Sequence, residues 1–280
     1  MKVLKTGAQE RISDKLQKLK SGRAKSYFIT HISYPSTIKE ANKAKIAEYA
    51  DSLENTLPDV KILLELFRKH IPNIWDQNKY CASYLLICKA FGEIRPIIAI
   101  AREGSNHEVV ELARSGVEAL DLSFLFLEED DGVYLKKWLK GEIISNDEAR
   151  KMYDKIINAE RTQNNSTLPL KDVKSDVYWV YSLFTHNSYG ALLESVDPFY
   201  EEYDFKKYAG YHYTSKNLHL IENLIINILL SLKDAFLKLN DHNGFTETNN
   251  LMKKIGYTNM PTKDIEELFT QYKTKTTNKS

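Results

Sequence analysis

Apolar residues recur at three- and four-residue steps through most of the chain, the period of an amphipathic helix rather than the alternation of a half-buried strand. From about Asn78 to Arg102 they cover most of a helix circumference and leave Lys89 and Glu93 on a narrow polar side. That helix should be largely buried, with a kink near Gly92 where Pro96 removes a backbone donor. Gly104-Ser105-Asn106 makes a turn in which Asn106 caps the next helix, His107 to about Leu127, closed by the acidic run Glu128 to Asp131 and Gly132. Two weaker helical stretches follow, Val133 to Lys140 and Asp147 to Arg161, and then a polar surface loop, Thr162 to Thr167. Helical spacing returns from Ser175 to about Glu194, and again from Ser215 to about Asn240 beyond an aromatic connector, Phe199 to Tyr213.

Closer to the N-terminus, Thr37 and Glu40 have capping-box spacing and start a helix to about Asn55. Pro58 suits the first turn of a second helix, Asp59 to His70, which Ile71-Pro72 ends, so the two form a helical hairpin. The last forty residues are polar, with a small helical cap at Lys263 to Tyr272. The expected fold is therefore all-α: a helical bundle of four long antiparallel helices, near residues 78–103, 107–128, 175–194 and 215–240, with the N-terminal helical hairpin alongside and the small C-terminal helical cap. Its divisions are a basic arm or helix over 1–25, the hairpin over 26–77, the main bundle over 78–240 and the cap and tail over 241–280.

Composition agrees with long helices, since 11 glycines and 7 prolines in 280 residues leave few positions suited to tight turns. Lys and Arg number 39 against 38 Asp and Glu, so no global field recruits a polyanion or an anionic membrane. Met1 to Lys25 is locally basic, yet no apolar run of signal-peptide length follows it. The apolar stretch Leu218 to Leu232 contains Glu222, Asn223 and Asn227 and falls short of the roughly 20 residues that cross a bilayer, so a buried helix is expected and no membrane partner. Cys81 and Cys88 fit buried thiols in a reducing, cytoplasmic setting. The metal-ligand spacings and glycine-rich phosphate loops that would imply a metal site or a bound cofactor do not occur, and none is expected.

Candidate chemistry lies on two helices. Stepping 100° per residue puts His107, Glu111, Arg114, Glu118 and Asp121 on one stripe of a helix that is otherwise apolar over more than half its circumference. A helix so broadly apolar should be central, and its stripe then faces solvent or a polar cleft. In a cleft, Arg114 and Glu118 pair at i,i+4 and hold the guanidinium in a fixed direction for an anion; the rival is an internal structural ion pair. On the helix after Ser175, Tyr178, Ser182, His186 and Tyr189 share a sector, placing hydroxyls around an imidazole suited either to proton transfer or to a hydrogen-bonded place in the core. Arg102 and His107 form an R-x4-H spacing across the Gly104 turn. The connector interleaves seven aromatic residues with Lys206, Lys207 and His212; it reads as a base-stacking surface or as a tyrosine-rich lid.

A buried helix, a turn after Arg102, the run ELARSGVEALDLSFLF, and much later VYSLFTHNSYG before an apolar helix together resemble a broad prokaryotic family of helical proteins of unknown function. The likeness covers roughly Asn78 to Asn240, and places Arg114, Glu118 and His186 in that family's polar positions. A more remote similarity is to HEPN-like helical bundles, the higher-eukaryote and prokaryote nucleotide-binding superfamily, some of which are metal-independent ribonucleases of toxin or anti-phage systems. No arginine occurs in the twenty residues before His186, so the resemblance implies that Arg114 or Arg102 would stabilise a phosphate from another helix while His186 or His107 transfers the proton. Two function classes follow. One is an RNA- or nucleotide-directed protein of defence or stress response whose cleft is lined by Arg114, Glu118 and His186. The other is a noncatalytic interaction module whose basic arm or aromatic connector meets a protein partner or a second copy.

Overall fold

Among the described residues, the segments whose apolar residues recur at helical steps are helical. The computed structural model describes residues 39–103, 106–129, 131–145, 147–152, 216–257 and 269–270. Its helices are α1 (Lys39–Arg68), α2 (Lys79–Glu103), α3 (Asn106–Glu128), α4 (Val133–Leu139), α5 (Lys216–Lys238) and α6 (His242–Lys254), and among the described residues there is no strand. The predicted all-α bundle is thus the observed class. The expected helix over 175–194 lies outside the described residues, as do residues 1–38 and the aromatic connector.

Contacts between side chains fix the direction of each helix. Lys79 Nζ donates to the Leu127 carbonyl (3.1 Å), Ser83 Oγ to that of Ser123 (3.2 Å), and Lys89 Nζ to Ser115 Oγ (2.6 Å), so α2 and α3 run antiparallel along their whole length. Arg102 meets Asp51 while Tyr84 meets Phe67, which makes α1 antiparallel to α2 as well. Helix α5 runs parallel to α1, because Tyr49 meets His219 and Phe67 meets Phe236; it runs parallel to α3, because Gly116 abuts Leu224 and Glu128 meets Lys238. Helices α2 and α5 touch each other and both α1 and α3. One core therefore joins Leu57, Ile94, Leu120, Ile228 and Phe245 across α1, α2, α3, α5 and α6. A second, smaller cluster sits where α4 and the segment to Met152 cover Leu86, Ala119 and Phe126.

Because α1, α3 and α5 are parallel, their negative C-terminal dipole ends collect at one end of the bundle. Cations gather there: Arg68 donates to the Ile71 carbonyl, Lys79 to that of Leu127, and Lys238 pairs with Glu128 at 2.6 Å. The acidic run after α3 has its own local work. The Glu129 carboxylate accepts from the Tyr134 and Leu135 amides (2.6 and 3.2 Å) and so caps α4, while Gly132 takes the left-handed conformation (φ 64°) that the junction needs.

Two expectations are corrected. The N-terminal hairpin is instead one helix, with Pro58 inside α1. A proline there forfeits a backbone bond and crowds the preceding turn, at about 3 kcal/mol. On either side of it Leu53, Leu57, Val60 and Leu64 are buried, each contributing about 1.5–3 kcal/mol. Burial wins, and the helix runs through; α2 likewise continues through Pro96 to Glu103. The second correction lies in the C-terminal stretch read only as polar before residue 263, which contains α6. Asp241 caps it by accepting from the Gly244 amide (2.9 Å), and Phe245, Leu251 and Met252 are buried on its inner face.

Candidate functional site

Helix α3 is as central as its apolar breadth predicts: among its described side chains only Glu108 and Glu111 are exposed. The charged stripe therefore does not run along open solvent. It leaves the surface at Glu111 and turns inward, through Arg114 and Glu118, whose side chains are 18% and 25% exposed, to Asp121 at 1%. Arg114 Nε donates to Glu118 Oε1 at 2.7 Å, the expected i,i+4 pair. Partial removal from water strengthens that bond while the carboxylate fixes the plane of the guanidinium.

Ser115, one residue on from Arg114 and about 100° round the helix, carries a polar contact from α3 to α2. Lys89 Nζ donates to Ser115 Oγ (2.6 Å) and to Glu93 Oε1 (2.7 Å), and Ser115 Oγ donates to the same Glu93 oxygen (3.0 Å). The other oxygen, Glu93 Oε2, is buried without a hydrogen-bond partner. It lies 3.2 Å from where a Cβ on Gly116 would stand, beside the Leu224 methyls at 3.0 Å. A glycine at 116 is what leaves room for this carboxylate at the meeting of α2, α3 and α5.

The structure separates Arg102 from this sector. At the last turn of α2 it bonds Asp51 (2.5 Å) and Glu54 (3.1 Å) of α1, an inter-helix tie rather than an arginine paired with the following helix. His107 belongs to the first turn of α3, but its side chain lies outside the described residues, as do Tyr178, Ser182, His186 and Tyr189.

One cluster escaped sequence reading. Tyr49 of α1 donates to Glu222 Oε2 of α5 at 2.5 Å, and His219 Nδ1 meets the same oxygen at 3.1 Å. Burial pushes the Glu222 carboxyl up, but the hydrogen bonds from Tyr49 and His219 outweigh it and hold its pKa below the ordinary value. Burial and the bond to Glu222 drive the Tyr49 hydroxyl well above its usual range. The i,i+3 spacing of His219 and Glu222 was visible in the sequence; the tyrosine, 170 residues away, was not. Burial pushes the thiol pKa of both Cys81 and Cys88 up, away from the thiolate form.

Among the described residues no group of His, Cys, Asp and Glu is placed to hold a metal ion, and no helix is long and apolar enough to cross a membrane. Comparison with protein-family models, curated proteins and solved structures finds no match. What this site can do rests on its own chemistry: an oriented, partly desolvated guanidinium on α3 and, at the seam with α2, a half-exposed ammonium, each of a kind suited to oxyanions.

Proposed function

We propose that this chain is an RNA- or nucleotide-directed helical-bundle protein of the HEPN-like kind, serving a defence or stress response, with Arg114 and Glu118 on the binding face and His186 as the proton-transfer group. The observation that carries this reading is the Arg114–Glu118 pair, 2.7 Å long and mostly withdrawn from water in the middle of α3. Backbone groups there already bond within the helix, so the pair completes no helix end. Burying a pair of charges brings little net stability, which favours a role in recognition. In that role Glu118 fixes the guanidinium, Arg114 neutralises a phosphate, and His186 moves the proton during phosphodiester cleavage without a metal.

The test is cleavage and binding of single-stranded RNA by the full chain. Arg114→Ala and His186→Ala should abolish cleavage, with Arg114→Ala also weakening binding about tenfold while both variants melt within a few degrees of the parent. Parent protein that neither binds nor cleaves RNA overturns the reading, as do variants that cleave normally.

A noncatalytic interaction module is the second reading, favoured by one observation. Trp75, in the loop between α1 and α2, is 84% exposed although its amide is held by Asn73 Oδ1 at 3.1 Å. A large exposed ring on a loop whose backbone is bonded suits a protein-partner contact. Loss of a co-purifying partner on Trp75→Ala, with RNA cleavage absent from the parent, would decide for it.

A further inference from the structure

We infer that Lys89 is a second phosphate-contacting cation of the α3 site, held in place across the helix seam by Ser115 and Glu93; this rests on the RNA-directed reading. Two i,i+4 cation–carboxylate pairs stand on neighbouring antiparallel helices, Lys89–Glu93 on α2 and Arg114–Glu118 on α3, both 2.7 Å long. Ser115, the residue after Arg114 in the chain, accepts from Lys89 at 2.6 Å and so ties the first pair to α3.

The arrangement has a direction. Lys89 is 49% exposed and its carboxylate partner 18%, so the ammonium faces outward and the acid inward. Glu93 Oε2 is turned in over Gly116 with no donor to satisfy it, a placement that costs free energy and that a floating surface pair would avoid. What this cost accomplishes is restraint. An exposed lysine ordinarily loses much side-chain entropy when it grips a ligand. Here two bonds to fixed atoms already hold it, and its third N–H remains for an oxygen outside. A phosphodiester suits that remaining donor, because an RNA backbone presents an anionic oxygen at every nucleotide.

Fluorescence anisotropy with a single-stranded RNA oligonucleotide, titrated at several salt concentrations, tests this on the full chain. Lys89→Gln should weaken binding about tenfold and flatten the slope of log affinity against log salt by about 0.7, the signature of one lost phosphate contact on a single strand. Lys89→Arg should restore both. Ser115→Ala, which leaves the charge but removes an anchor, should weaken binding less and leave the slope unchanged. Circular dichroism melts confirm that each variant is folded. Parental affinity and slope in Lys89→Gln, with binding still lost in Arg114→Ala, overturns the role of Lys89 and leaves the RNA reading standing. Parent protein that binds no RNA at all overturns both.

Discussion

The His70–Asp241 pair at the seam of α1, α5 and α6 and the ion pairs at the seam of α2 and α3 stand in different places. In the first, His70 lies just past the end of α1 and meets Asp241, the N-cap of α6, at 2.7 Å. Helix ends have backbone groups without intrahelical partners, so polar side chains there meet a need the fold itself creates. In the second, Lys89, Glu93, Arg114, Ser115 and Glu118 lie two turns or more inside their helices, where no such need exists. The difference teaches where to look for function. Polar groups at helix ends are explained by the backbone; a half-buried one at mid-helix is explained by a partner on a packed helix, as Glu222 is by Tyr49, or by a ligand. Substitutions at the first seam should therefore cost stability and those at the second should cost binding.

Gly244→Ala should break the first seam most severely. A Cβ at this position would stand 2.4 Å from Phe236 Cδ1, and that ring is itself buried between Phe67 and His70. The ring has no room to withdraw, so overpacking should cost about 3 kcal/mol, read as a fall in the urea midpoint. An unchanged midpoint would show that α6 is not locked against α5. Gly92→Ala sharpens the contrast: with nothing within 4 Å, it should be neutral or slightly stabilising.

Asp241→Ala should cost about 1–2 kcal/mol, from the lost cap on Gly244 and the lost bond to His70. Its pH dependence carries a sign. Burial pushes the Asp241 carboxyl up, but bonds from the Gly244 amide, His70 and the Asn243 amide outweigh it and hold the pKa below the ordinary 3.8. A depressed folded value means stabilisation that is complete above pH 3.8 and is lost as the pH falls through the lower folded value. Parent and variant stabilities should accordingly converge in acid. Curves that stay parallel down to the lowest pH would remove Asp241 as the cause.

The contrast between seams was only half legible beforehand. Helices α2, α3 and α5 could be read because their apolar residues recur at helical steps with little interruption, and the Arg114–Glu118 pair because i,i+4 neighbours meet on any helix. Continuity of α1 through Pro58 could not be read, since a local rule forecasts a break and the burial that overrides it depends on helices far along the chain. Helix α6 was hidden because its buried face includes Gly244, Thr248 and Asn249, which no apolar pattern registers. Thr248 is accommodated by donating to the Gly244 carbonyl at 2.7 Å, a bond that exists only once the helix does. Lys89 was seen as part of a polar strip; its bond to Ser115 depends on the register of two helices, which spacing within one helix does not contain.

Arg102→Ala should have the smallest effect and gives the sharpest comparison with Arg114. Both arginines bond carboxylates, and the Arg102 bond to Asp51 at 2.5 Å is the shorter. Distance alone would rank Arg102 as the more important. Yet Arg102 stands in the last turn of α2 with partners in water, Asp51 being 65% exposed, and such pairs contribute about 0.5 kcal/mol. Its charge also suits the C-terminal dipole end, a further few tenths. The substitution should therefore lower the melting temperature by a degree or two and leave RNA affinity at the parental value, whereas Arg114→Ala should lower affinity about tenfold. Equal losses of affinity in the two variants would mean that any cation on the bundle draws RNA. The distinction between end-of-helix and mid-helix charges would then have no functional meaning.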